Sequence, residues 1–115
     1  MATSYATETL IAGQIQTDQV YLKADTYYRG MPLKYTAASD YYEYDATPAN
    51  LAAIYLGNPQ ATSRVLSAAG YDAVIKGGEV FAKGIVDDSG NVLAAANTED
   101  FIAAVGANGF YVKKI

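Results

Sequence analysis

Cysteine, histidine and tryptophan are all absent from this chain of 115 residues, and each absence removes a class of explanation. Without cysteine there are no disulfides and no thiol chemistry, so packing and subunit contacts must hold the fold together. Without histidine the usual general base near neutral pH is missing. So are the Ser-His and Cys-His nucleophile pairs and the commonest transition-metal ligand. Proline is scarce, with three residues, and no long hydrophobic run exists. The longest, Leu51 to Leu56, falls far short of the roughly 20 residues that span a bilayer. The expectation is a protein made in the cytoplasm without a membrane segment. Its start, Met1-Ala2-Thr3-Ser4-Tyr5, has neither the basic residues nor the apolar stretch of a secretory leader.

Positive charge is also sparse. Eight Lys and Arg face twelve Asp and Glu, a net charge of −4, and only Lys113-Lys114 places two cations side by side. No stripe matches a phosphate backbone, so nucleic acid is not an expected partner. What the chain has in plenty is tyrosine, eleven in all, several of them clustered as Tyr27-Tyr28, Tyr35 and Tyr41-Tyr42-Tyr44. Two readings stand. Tyrosine is an ordinary strand former; it also brings large contact area at low entropy cost and a hydroxyl for a wet rim, which suits a binding surface. A core of this size cannot hide eleven such rings, and the candidate interface residues are Tyr27, Tyr28, Tyr35 and Tyr41.

The pattern along the chain is one of short strands and turns within a single domain. Residues 1–8, small and polar around Tyr5, read as a mobile arm, and residues 9–115 as one β domain. Thr9 to Ile15 and Val20 to Lys23 read as two strands parted by the polar Gln16-Thr17-Asp18-Gln19. Tyr28 to Tyr35 reads as a kinked edge strand, because it carries Gly30 and Pro32. Ser39-Asp40 then turns into Tyr41 to Asp45, with Tyr42 and Tyr44 on one face and Tyr41, Glu43 and Asp45 on the other. Leu51 to Leu56 reads as a central strand buried on both sides. Gln60 to Gly70 is a loop or short helix. Ala73 to Lys76 and Val80 to Val86 form a hairpin about Gly77-Gly78, and Asp87 to Asn91 makes a further turn. Thr98 caps a helix over Glu99 to Val105 whose buried side is Phe101, Ile102 and Val105. Phe110 to Ile115 ends the chain as a strand. The fold class expected is mainly β with one or two short helices.

None of the candidate chemical sites outweighs its plain reading. Gly77-Gly78-Glu79 lacks the spacing of a phosphate-binding loop. Asp87-Asp88-Ser89-Gly90-Asn91 lacks the ligand spacing of a calcium loop and reads as a solvated turn. Asp40, Glu43 and Asp45 could pair for glycoside hydrolysis only with one raised pKa in an apolar cleft. No catalytic residue, cofactor or metal is therefore expected.

The ordered set of segments resembles the head decoration proteins of lambda-like tailed phages. It runs from a short arm through a strand entered at Gly30-Met31-Pro32-Leu33, the aromatic strand Tyr41-Tyr42-Glu43-Tyr44-Asp45, an apolar strand from Ala52 to Leu56 and a hairpin from Val74 to Val80, to a small helix and a last strand. The likeness covers most of the chain from Thr9 onward, and its departures are the missing tryptophan, the lack of a long proline-rich arm, and the tract from Gln60 to Gly70. The resemblance implies a small barrel-like β domain of the β-tulip or β-clip kind. It implies a homotrimer at three-fold positions on the outer capsid surface, and an arm (Ala2, Thr3, Ser4, Tyr5, Ala6, Thr7, Glu8) that orders on the major capsid protein. Two other classes remain: a carbohydrate- or receptor-binding module of a phage tail or fibre, and a small carboxylate enzyme.

Overall fold

The computed structural model describes residues 10–58, 61 and 63–114; the arm expected over 1–8 lies outside them. Among the described residues there are eight strands: β1 (Ile11–Leu22), β2 (Asp25–Tyr28), β3 (Pro32–Thr36), β4 (Tyr41–Tyr44), β5 (Ala53–Tyr55), β6 (Ser63–Leu66), β7 (Gly70–Phe81) and β8 (Phe110–Lys113). One α-helix, α1 (Glu99–Gly106), and three single 3-10 turns complete the mainly β domain. No described helix is long and apolar enough to cross a membrane.

Strands β1, β4, β3, β5 and β7 pair in that order, and β7 returns to β1, so the sheet closes into a ring. Both edges of β7 are in use. It runs antiparallel along β1, from Ile11 opposite Val80 to Leu22 opposite Gly70. Its other edge is shared between β5, at Val74 and Ile75, and β8, from Gly78 to Phe81. The ring's closing seam between β1 and β4 is a single parallel register pair, Leu22 with Tyr42. Strands β2 and β6 form a separate two-stranded sheet.

Side-chain alternation along β5 and β7 divides the interior in two. Ile54 and Ile75 point into an aliphatic cluster with Leu10, Leu51, Val80, Ile85, Phe101, Val105 and Phe110. Ala53, Tyr55 and Val74 point the other way, into a cluster with Leu22, Tyr27, Met31 and Leu33. The predicted central strand is therefore buried on both faces, although only three residues of it pair as β5. Helix α1 covers the aliphatic cluster. As expected, Thr98 caps it, its hydroxyl accepting from the Phe101 N–H at 3.4 Å, with Phe101 and Val105 on the buried side. The Asp87 turn also forms, the Asp87 carboxylate accepting the N–H groups of Ser89 and Asn91.

Four expectations are corrected. The two N-terminal strands are one, since β1 runs unbroken through Gln16 to Gln19; that polar stretch lies on the exposed part of a strand held by β7, where tertiary pairing overrides the turn-like composition. Gly77-Gly78 is not a hairpin but lies inside β7. Gly78 has φ +120°, and a Cβ there would collide with the Gln14 carbonyl and sit 2.6 Å from Ile15 Cα. The glycine thus permits a close approach of β1 to β7 beside a bulge in their pairing. The kinked strand from Tyr28 to Tyr35 is two strands in different sheets. It breaks at Gly30, whose φ of +96° packs it against the Gly84 carbonyl, and Pro32 takes the first position of β3. Finally, the tract from Gln60 to Gly70 contains a strand, β6, paired with β2 from Leu66 opposite Asp25 to Ser63 opposite Tyr28.

Candidate functional site

Two surface features stand out once the fold is assembled, an open strand edge and an aromatic depression. The edge belongs to β1. One side of this strand is taken by β7, whereas the other, among the described residues, pairs only at Leu22. At about 3.3 Å per residue its twelve residues make an edge of roughly 40 Å, as long as the molecule's largest dimension of 41 Å. Free backbone donors and acceptors on such an edge are a template for a further strand. The capsid-binding arm residues expected from sequence, Ala2 to Glu8, lead into this strand but lie outside the described residues.

The aromatic depression is built where β1, β7 and the β3–β4 hairpin meet. Tyr21 and Tyr71 face each other across the β1–β7 ladder, their ring centroids 5.2 Å apart and tilted by 59°. Tyr35 and Tyr42 face each other across β3–β4, at 5.2 Å and 52°. These four rings, with Gln19, Val20 and Asp40, line one shallow hollow of about 430 Å³. Three of the rings are well exposed, Tyr21 by 39%, Tyr35 by 46% and Tyr71 by 64%. Exposure to this degree by several neighbouring aromatics exceeds what strand propensity requires.

Hydrogen bonds fix the two hairpin rings. The Tyr35 hydroxyl donates to Asp40 Oδ1 at 2.6 Å, and this bond, followed by burial and the carboxylate's charge, pushes the phenol above its usual range. Asp40 itself sits in the left-handed region at φ 57°, a conformation that Asp tolerates better than most residues and that turns its side chain back onto the strand. The Lys76 ammonium donates to the Tyr42 hydroxyl at 2.6 Å and lies 4.8 Å from that ring's centroid. Lys76 reaches it from the bulge at which Gln16 and Thr17 oppose Gly77 and Ile75.

The sequence-predicted interface tyrosines are thus scattered. Tyr27 is a correction: it is fully enclosed in the second cluster, stacked on Tyr55 at 5.4 Å, with its hydroxyl donating to the Lys23 carbonyl at 2.6 Å. Tyr28 is half-buried against the same cluster, and Tyr41 is half-buried on β4. Only Tyr35 reaches the depression. Its companions Tyr21, Tyr42 and Tyr71, with Gln19 and Asp40, were not singled out as interface residues. The pairing of Tyr35 with Tyr42 could have been found from the Ser39-Asp40 turn, which sets the register of a hairpin. Tyr21 and Tyr71 are fifty positions apart, and no local signal joins them.

The carboxylates weighed for catalysis are each engaged by close neighbours. Glu43 accepts from the Thr36 hydroxyl at 2.5 Å and lies 3.6 Å from Lys23 Nζ; the Thr36 bond is the main reason its carboxyl falls below the usual range. Asp45 accepts from the Thr47 N–H and the Asn50 amide. Neither is raised, as a general acid in an apolar cleft would be. No protein-family model matches the chain, and no curated protein is significantly similar to it.

Proposed function

We propose that this protein is a non-catalytic decoration subunit that binds as a homotrimer to the outer surface of a phage head and clamps neighbouring capsid subunits together. The observation that carries the reading is the open β1 edge, which offers a long row of backbone partners to a strand of the capsid protein. Strand addition of this kind draws affinity from main-chain hydrogen bonds and specificity from alternate side chains. Thr3, Tyr5 and Thr7 in the arm, followed by Thr9, alternate in the manner of a strand, so the arm offers a strand-like docking segment in addition to the edge. The mainly β domain is the fold class that the resemblance to decoration proteins implies.

Ordering an arm costs entropy, so a single copy binds weakly. Three arms on one trimer make the later contacts intramolecular and raise overall affinity by about 10²- to 10⁴-fold. A protein that binds only the intact lattice shifts the equilibrium toward that lattice, which stabilises the shell against the pressure of packed DNA. The acidic balance suits a position outside the shell. Mixing purified protein with expanded, DNA-free heads of the phage that encodes it and pelleting them tests this. Co-sedimentation near one copy per capsid subunit is expected, and its absence refutes the reading. Deleting Met1 to Glu8 is expected to abolish pelleting while leaving the trimer intact by sedimentation velocity; unchanged pelleting removes the role given to the arm.

A further inference from the structure

The hollow between the two tyrosine pairs borders the end of the β1 edge, and its chemistry is distinct from the backbone pairing that strand addition uses. We propose that it is a saccharide-binding site, with Tyr21, Tyr35 and Tyr71 as stacking platforms and Gln19 and Asp40 as hydroxyl partners. Sugar rings present apolar C–H faces and hydroxyl edges, and a ligand of that kind needs exposed, pre-set aromatic faces with a few polar groups at their margin. Each requirement is met. The three rings are 39 to 64% exposed, and every ring of the hollow is braced by a partner ring at 5.2 Å. Tyr35 and Tyr42 are locked further by Asp40 and Lys76. The carboxylate of Asp40 has lone pairs beyond the one that Tyr35 uses, and Gln19 brings both a donor and an acceptor. A hollow of about 430 Å³ lies within the range of small-ligand sites.

Charge decides between a sugar and the other ligand that tyrosine clusters favour, a quaternary ammonium group. The ammonium of Lys76 already stands over the Tyr42 ring, so a second cation meets repulsion there where a neutral ligand does not. A second copy of the chain is a different occupant, and the experiment separates it.

Full-length protein is applied to a printed array of neutral and acidic oligosaccharides, and hits are measured by NMR titration of the free sugar into labelled protein. The expected result is binding of at least one neutral oligosaccharide, with shifts centred on Gln19, Tyr21, Tyr35 and Tyr71. Tyr71→Ala and Tyr35→Ala, at exposed positions, each weaken it about tenfold or more, the fold-change that about 1.4 kcal/mol of lost ring contact represents. Tighter binding of choline than of any sugar would contradict the charge argument. No hit on the array, or a hit that Tyr71→Ala leaves unchanged, overturns the proposal. So does self-association lost in both tyrosine variants, because the hollow is then a subunit contact. Capsid pelleting by the same variants is expected to be unaltered, so failure here leaves the decoration reading untouched.

Discussion

The two halves of the interior, divided by β5 and β7, are built on different chemistry. The cluster under α1 is almost wholly aliphatic and phenylalanine, with Leu10, Ile54, Ile75, Ile85, Val105 and Phe110 at its centre; it needs no partners for polar atoms. The cluster on the other face is tyrosine-rich and bordered by a polar network. There the Tyr55 hydroxyl donates to Asp72 Oδ2 at 2.8 Å, and Arg64 donates to the same oxygen at 2.8 Å. The buried Arg29 guanidinium donates to the carbonyls of Leu56, Asn58 and Ala61, tying the β5–β6 connection to the turn after β2. Among the described residues no buried side-chain polar atom lacks a partner. A dry core is stabilised by fit alone, whereas a wet one also depends on every bond in its network being made.

Substitutions sharpen that contrast. The largest effect is expected in the dry cluster, where Ile75→Ala leaves a cavity at a fully buried site and costs about 2–5 kcal/mol; urea unfolding should show the same loss at every pH between 5 and 9. Arg29→Met keeps the bulk but strips three carbonyls of a charged donor, and about 3 kcal/mol is expected from the bonds lost. Hydrogen exchange should rise in residues 56–61 before it rises elsewhere. A uniform rise would mean that the guanidinium supports the fold as a whole.

Tyr55→Phe is smaller, about 1 kcal/mol for one hydrogen bond, and it changes the acid response. Asp72 is pushed up by burial, but the bonds from Tyr55, the Ala73 N–H and Arg64 outweigh this and hold its carboxyl below the usual range. The unfolded chain therefore binds more protons, and the stability from this group is present above about pH 4 and lost as pH falls through the lower folded value. Glu43 and Asp45 add losses of the same sign. Removing the Tyr55 hydroxyl should bring the folded Asp72 value closer to the unfolded one and so shrink the stability lost below about pH 4; an acid loss as large as before breaks the link between this bond and Asp72. The smallest effect is alkaline. Burial, with the nearby charge of Asp25, raises the Tyr27 phenol far above its ordinary value, so its contribution is intact below about pH 10 and lost above it. Tyr27→Phe should flatten the stability profile above pH 10, an outcome readable from the unfolding midpoint alone.

How far these features were legible in the sequence follows the range of the interactions. The Thr98 cap, the Asp87 turn, the alternation of Phe110 and Val112 and the buried strand around Ile54 depend on neighbours within a few positions, and all were visible. The continuity of β1 through Gln16 to Gln19 was not, because β7, some sixty residues away, holds that stretch extended. Gly77-Gly78 carried a turn signal, yet its use is to let two backbones approach inside a sheet, and only the pairing reveals which use applies. Tyr27 and Tyr28 are adjacent and chemically alike; their places in the pairing with β6 leave one fully enclosed and the other half-exposed. The aromatic hollow joins residues from four strands, so the abundance of tyrosine pointed to a surface without locating it.

The antiparallel seam between β1 and β7 holds nine register pairs. Tension applied along β1 itself slides it lengthwise over β7 and loads those backbone bonds together instead of peeling them one by one. Because β7 is gripped on its far side by β5 and β8, the pull is passed into the body of the domain. A load on either strand of such a seam is therefore shared across the sheet rather than borne by one pair of backbones.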